Sequence, residues 1–133
     1  MPLFEGAEAL MQELRAGGYL LAVATGKNRN GLDRALKASN MAQYFHSTRT
    51  ADQTVSKPDP TMLHEIMDEL EVSAPRALMV GDTTHDLQMA INAGVDSLAM
   101  THGAHPPEQL LELKPLALLD DFPDLREWLK LNA

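Results

Sequence analysis

The chain has 133 residues, 44% hydrophobic and 23% charged, the size and balance of one folded domain rather than of a disordered chain. Lys and Arg total 11 against 19 Asp and Glu, a formal charge of −8 that repels nucleic acid and obliges any anionic ligand to find a local cation. There is no cysteine, which excludes disulfides, thiolate metal sites and a cysteine nucleophile and fits a cytoplasmic setting. No apolar run approaches the ~18 residues of a membrane span, and the opening Met-Pro-Leu-Phe-Glu lacks the basic-then-apolar pattern of a signal peptide.

In Ala7 to Ala16, Leu10, Met11 and Leu14 fall at helical spacing, and Gly17-Gly18 stops the run. Tyr19 to Ala24 is apolar without alternation, the pattern of a strand buried on both faces. After a polar turn at Thr25 to Asn30, Gly31 to Ala38 reads as a helix with Leu32, Ala35 and Leu36 inward. Tyr44 to Thr48 is read as a short strand. In Lys57-Pro58-Asp59-Pro60, Asp59 suits a helix N-cap and Pro60 the first helical position; Leu63, Ile66, Met67 and Leu70 mark the face that follows.

Ala77 to Val80 is a second buried strand ending at Gly81-Asp82. His85 to Ala93 is a helix with Leu87, Ala90 and Ile91 inward, stopped by Gly94. Val95 to Met100 is a strand. Pro106-Pro107 opens a helix carrying Leu110, Leu111 and Leu113. Leu116 to Leu119 is a last strand, and Pro123 opens a helix carrying Leu125, Trp128 and Leu129. Met41, Met62, Met67 and Met89 read as core filler. Alternation of strands and helices predicts an α/β fold, a Rossmann-like parallel sheet with helices on both faces, as a single domain over residues 1–133.

Ligands of open parallel sheets sit at the carboxyl ends of the strands. One strand here ends in Thr25-Gly26-Lys27 and another in Gly81-Asp82-Thr83-Thr84-His85-Asp86. A Thr hydroxyl beside free backbone N–H groups suits phosphate oxygens. An Asp at a strand end, with another four residues on, suits a hard cation such as Mg²⁺. Lys57 adds a cation in a loop stiffened by proline. Taken singly, these are a turn, a cap and a surface lysine. Gly26-Lys27 is not a P-loop, because Gly18 is wrongly spaced and Asn28 stands where Ser or Thr is needed. His102-x-x-His105 has no third ligand near it and lies in a turn, which argues against zinc.

Taken together, Ala22-Val23-Ala24-Thr25-Gly26-Lys27, Ser56-Lys57-Pro58-Asp59-Pro60, Val80-Gly81-Asp82-Thr83-Thr84-His85-Asp86-Leu87 and Ala93-Gly94, in that order, resemble the haloacid dehalogenase superfamily. The resemblance is to the branch of small-molecule phosphatases that includes phosphoglycolate phosphatase. It runs through nearly the whole chain, including Gly103-Ala104-His105-Pro106-Pro107-Glu108. It implies that Thr25 hydrogen-bonds a phosphoryl group with help from the Gly26 amide. It implies that Lys57 neutralises phosphoryl oxygens and the attacking carboxylate, and that Asp82 ligates Mg²⁺. Asp86 would support the metal shell or hold Lys57.

The family's first motif, an apolar strand ending in Asp-x-Asp-Gly that supplies the nucleophile and the general acid/base, does not occur in these residues. Glu5, Glu8 and Glu13 follow no strand, and Asp120-Asp121 falls where the family enters its final helix. Met1 to Leu14 resembles the segment after the family's helical cap. The resemblance therefore covers the C-terminal part of such an enzyme, and implies a hydrolase of small phosphorylated substrates that is inactive as these residues alone. The alternative is a non-catalytic subunit that binds phosphate or metal. The family's first strand lies between the strands ending at Thr25 and Asp82. Without it, those strands are expected to close up and pair, to receive a strand from another segment or a complementing chain, or to drive self-association.

Overall fold

Among the described residues, 6–103 and 105–132 of a computed structural model, five parallel strands alternate with six α-helices. Met1–Glu5 and Ala104, used in the motif reading, lie outside the described residues. The order is α1 (Ala7–Ala16), β1 (Ala22–Thr25), α2 (Arg29–Ser39), β2 (Ser47–Thr50), α3 (Thr61–Leu70), β3 (Leu78–Gly81), α4 (Thr84–Ala93), β4 (Asp96–Met100), α5 (Pro107–Glu112), β5 (Leu118–Leu119) and α6 (Phe122–Asn132). The helix ends have local causes. The Asn28 side chain accepts the Gly31 N–H at 2.7 Å, and the Thr83 hydroxyl accepts the Asp86 N–H at 3.1 Å. Gly94, at φ 75°, stops α4 in the left-handed region.

The best-buried strand is β4. Its Leu98 and Met100 face Leu10 of α1 and Leu125 of α6, while Ala99 between them faces Leu87 of α4 and Leu110 of α5. This alternation of period two puts α1 and α6 on one side of the sheet and α4 and α5 on the other. Helix α3 shares the α4 side, where Leu63 and Met67 pack against the cluster of Ala90, Ala93 and Val95. Helix α2 lies on the α1 side, against the 3-10 turn at Ala42–Tyr44 that α1 also contacts.

Strands β1 and β2 pair from Ala22↔Ser47 to Thr25↔Thr50; β3, β4 and β5 form a separate parallel sheet. Crossovers between parallel strands are right-handed. With α3, α4 and α5 on one side, β2 to β3 to β4 to β5 must step in one direction. With α2 on the other side, β1 to β2 steps back. The order across the molecule is therefore β2, β1, a break, β3, β4, β5. The break falls where the winding reverses.

The α/β architecture is the expected one, and several details differ from the sequence reading. Strands β1 and β3 are not buried on both faces: Ala22 at the start of β1 is exposed, Leu78 and Val80 are 36% and 38% exposed, and Tyr19 and Leu20, in the apolar run before β1, are 46% and 47%. Apolar runs report the burial a strand has when both its edges are paired, and each of these has one pairing partner. Of the three outcomes expected at the missing strand, direct pairing of β1 with β3 is not the one seen among the described residues. Ala35, Ile91 and Leu111, assigned inward, are exposed. Tyr44 belongs to the 3-10 turn, so β2 begins later than expected; in the last strand Leu118–Leu119 form the regular strand, while the Leu116 N–H and the Ala117 carbonyl also bond to Ser97 and Ala99 of β4. Asp59 accepts the Thr61 N–H at 2.9 Å but stands one residue before the N-cap, which is Pro60; α3 begins at Thr61, one residue later than expected.

Leu98 is fully buried at the centre of the larger sheet. Leu98→Ala is expected to destabilise the chain by about 3 kcal/mol in urea unfolding. Ile91→Ala, at a side chain 49% exposed, is expected to change stability by about 0.5 kcal/mol or less.

Candidate functional site

Thr25 and Gly26 close β1 at the break. The Thr25 hydroxyl accepts the Lys27 N–H at 3.1 Å, so it lies over its own turn. The turn is pinned from β2. The Ala51 N–H reaches the Lys27 carbonyl at 3.1 Å, and the Asp52 carboxylate accepts the Arg29 N–H at 3.1 and 3.3 Å and the Thr50 hydroxyl at 2.7 Å. The Thr50 hydroxyl, and after it the Arg29 amide, hold Asp52 below the usual carboxylate range. Asp52 was not among the residues singled out from sequence; its signal is an acid two residues past a strand end, which is common in loops.

Across the break, Gly81-Asp82 closes β3 and α4 begins at Thr84. Asp86, only 6% exposed in its side chain, ion-pairs with the Lys57 ammonium through Oδ1. Its Oδ2 accepts the Asp82 N–H at 3.2 Å. Lys57 is 17% exposed in its side chain and is not a solvated surface lysine. A Cβ at Gly81 would lie 2.3 Å from the Asp86 Cβ, so glycine is what lets Asp86 fold back over the strand end. Gly103, in the turn after β4, packs against Asp82 in the same manner, a Cβ there falling 2.6 Å from the Asp82 Cβ.

Among the described residues, the Asp82 carboxylate has no hydrogen-bond or ion-pair partner. His105 supports the neighbouring helix start: its Nδ1 accepts the Thr84 N–H at 3.0 Å. No group of three acidic, His or Cys side chains among the described residues is placed to hold a metal, His102 and His105 included. Asp120 and Asp121 are both engaged, one by the Thr101 hydroxyl at 2.6 Å and the other as the cap of α6 on the Asp124 N–H at 2.8 Å.

The structure thus brings Lys57, Asp86 and Asp82 together. Thr25 and Gly26 stand at the carboxyl end of the strand on the other side of the break and make no described contact with the three. All five lie on one rim, because β1 and β2 are parallel and the loop leaving the carboxyl end of β2 carries Lys57 to the start of α4. That rim is at the reversal of winding, where open α/β sheets place their ligands. An open groove of about 490 Å³ lies elsewhere, along β2, lined by Arg29, Thr48, Arg49, Gln53, Glu65 and Asp68.

Two measurements check this geometry. Removing one partner of a buried ion pair leaves the other uncompensated. Lys57→Met is expected to cost about 3 kcal/mol in urea unfolding, and Lys57→Met with Asp86→Leu to cost at least about 1 kcal/mol less than the two single changes summed. For Asp52, the folded carboxyl has the lower pKa, so its contribution is present above the unfolded value and is lost as pH falls through the folded value. Asp52→Asn is therefore expected to be less stable near neutral pH, and the gap from the parent to narrow below about pH 4.

A family model described as haloacid dehalogenase-like hydrolase matches residues 1–100. A phosphoglycolate phosphatase from Rhodospirillum rubrum is 36% identical over 96% of this chain and 53% of its own length. The pyrophosphatase PpaX of Bacillus mycoides is 32% identical over 92% of this chain and 57% of its own. A crystal structure described as "a predicted phosphoglycolate phosphatase" from Haemophilus somnus 129pt superposes with a TM-score of 0.87 at 26% identity, covering 96% of this chain and 56% of that one. The chain spans a little over half the length of these relatives. With the matched model covering most of the sequence, and the fold and motif order agreeing, the chain belongs to the haloacid dehalogenase-like hydrolase family.

Proposed function

We propose that these residues form the phosphate- and magnesium-binding half of a phosphatase acting on small phosphomonoesters, in a cytoplasmic setting. The observation that carries the reading is the buried Lys57–Asp86 pair beside an unpartnered Asp82, on the rim that Thr25 and Gly26 share. Phosphoryl transfer is mostly positioning and charge stabilisation. Thr25 and Gly26 donate a hydroxyl and an amide to phosphoryl oxygens. Lys57 offers its ammonium to the same oxygens, and Asp86 fixes its position.

The donor set fits Mg²⁺ in part. Such an ion takes one or two carboxylates and fills its shell with water and phosphate. Asp82 is available for this, whereas Asp86 is committed to Lys57 and to the Asp82 amide. Asp82 would therefore be the protein ligand and Asp86 the group that orients it through the backbone. Bound there, Mg²⁺ supplies neutralisation of charge on phosphoryl oxygens.

Chemistry through a phospho-aspartate, as in the enzymes this chain resembles, needs a carboxylate nucleophile at this rim. Asp120 and Asp121 are held in other bonds. That observation favours a second reading, a subunit that binds phosphate or metal without turnover, for the 133 residues by themselves. The chain assayed with p-nitrophenyl phosphate and with 2-phosphoglycolate in Mg²⁺ is expected to give no appreciable turnover. Inorganic phosphate is expected to bind weakly, and more weakly still in Lys57→Met. Robust turnover lost in Asp82→Ala would show a nucleophile among these residues and overturn the proposed division of labour.

A further inference from the structure

Helix α4 holds the loop that carries Lys57 at two points. In its first turn, Asp86 takes the Lys57 ammonium. In its last turn, Asn92 Nδ2 donates to the Pro58 carbonyl at 2.9 Å. The two residues are six apart in sequence, about 9 Å along the helix axis. One end of α4 therefore grips the tip of the lysine and the other end grips the backbone beside it. Among the described residues, the other bonds of this loop are local: the Asp59 N–H donates to the Ser56 carbonyl at 3.2 Å, and the Asp59 carboxylate accepts the Thr61 N–H at 2.9 Å.

The orientation of the Asn92 amide follows from chemistry. A carbonyl only accepts, so the NH2 group must face Pro58 and the oxygen must face away. That oxygen accepts from Gln88 Nε2 at 3.0 Å, one helical turn back. Gln88 thus fixes the amide that fixes the loop. An ion pair by itself does not place a lysine, because holding a long side chain in one geometry costs rotamer freedom. With a free backbone, Lys57 would leave Asp86 part of the time, and a buried carboxylate would lose its cation. The proline ring restricts the backbone next to Lys57, so a hold on the Pro58 carbonyl is passed to the lysine.

We propose that Asn92 is a positioning residue for Lys57: by gripping the Pro58 carbonyl, it keeps the lysine ammonium on Asp86. Asn92 makes no described bond to the rim and acts through the loop alone. What this does for a bound phosphate rests on the proposed function. The placing of Lys57 does not, and the experiment reads the lysine directly with no phosphate present, so the two can fail separately.

The full chain is treated with a small dose of acetic anhydride, and acetylation of each lysine is followed by peptide mass spectrometry. Lys37 and Lys130, both exposed, are internal references, and Lys57 in the parent is expected to react more slowly than either. Asn92 is exposed, so its replacement leaves the core intact. Asn92→Leu keeps the size of the side chain and removes its hydrogen bonds. It is expected to speed acetylation of Lys57 about fivefold, the ratio that one net hydrogen bond carries. Lys37 and Lys130 should be unchanged. Asn92→Gln, which keeps the amide donor, is expected to stay within about twofold of the parent. Ile91→Ala, its exposed neighbour on the helix, should leave Lys57 as it is. Amide hydrogen exchange of Leu87–Ala90 is expected to be the same in all four proteins. An unchanged Lys57 rate in Asn92→Leu would overturn the proposal, as would a parent Lys57 as reactive as the references. So would an acceleration that Asn92→Gln or Ile91→Ala shares, or one matched by faster exchange in α4, which would make Asn92 a residue of helix stability only.

Discussion

The Asp86 carboxylate is the constraint on which the rest of the rim depends. One oxygen holds the Lys57 ammonium and the other the Asp82 amide, at a side chain almost wholly buried. A buried charge persists only when its partners are in place. Those partners come from two sheets: Lys57 from the loop leaving β2, and Asp82 from the end of β3. The pair is therefore a tie across the break, as well as a device that aims a lysine. Gly81 makes it possible, since any side chain there would occupy the space of Asp86 itself.

The second tie is apolar. Helix α1 joins both halves on one side, and α3 with α4 joins them on the other. Parallel strands are ordinarily buried on both faces and paired on both edges. Here the faces are partly covered and one edge of each inner strand is open, so burial in β1 and β3 falls short of what their sequences are built for. Backbone pairing and side-chain packing are thus separable in this molecule. Helix packing sets the relative place of the two sheets without any ladder between them.

The same geometry links fold to chemistry. The reversal of winding puts two strand ends, Thr25-Gly26 and Gly81-Asp82, on either side of one crevice, and the cation comes from a third loop. In the proposed function a phosphate group placed there meets a hydroxyl, amides and an ammonium, the groups that stabilise spread negative charge. Against an overall charge of −8, an anion at this crevice relies on that local concentration of donors.

Much of this was legible in the sequence. Helix limits at Ala7–Ala16 and the stop at Gly94 follow from periodicity and from the left-handed preference of glycine, which are local properties. The order of the motifs around Thr25, Lys57 and Asp82 pointed to the family. Local information could not decide how Asp86 divides its oxygens, because the distance between Lys57 and Asp86 along the chain says nothing of their contact in space. Nor could it decide that Tyr19, Leu20, Leu78 and Val80 would be exposed. An apolar run encodes the neighbours a strand requires. Whether those neighbours arrive is settled by topology, and in these residues right-handed crossovers carry β1 and β3 to the two sides of a break and leave their facing edges unpaired.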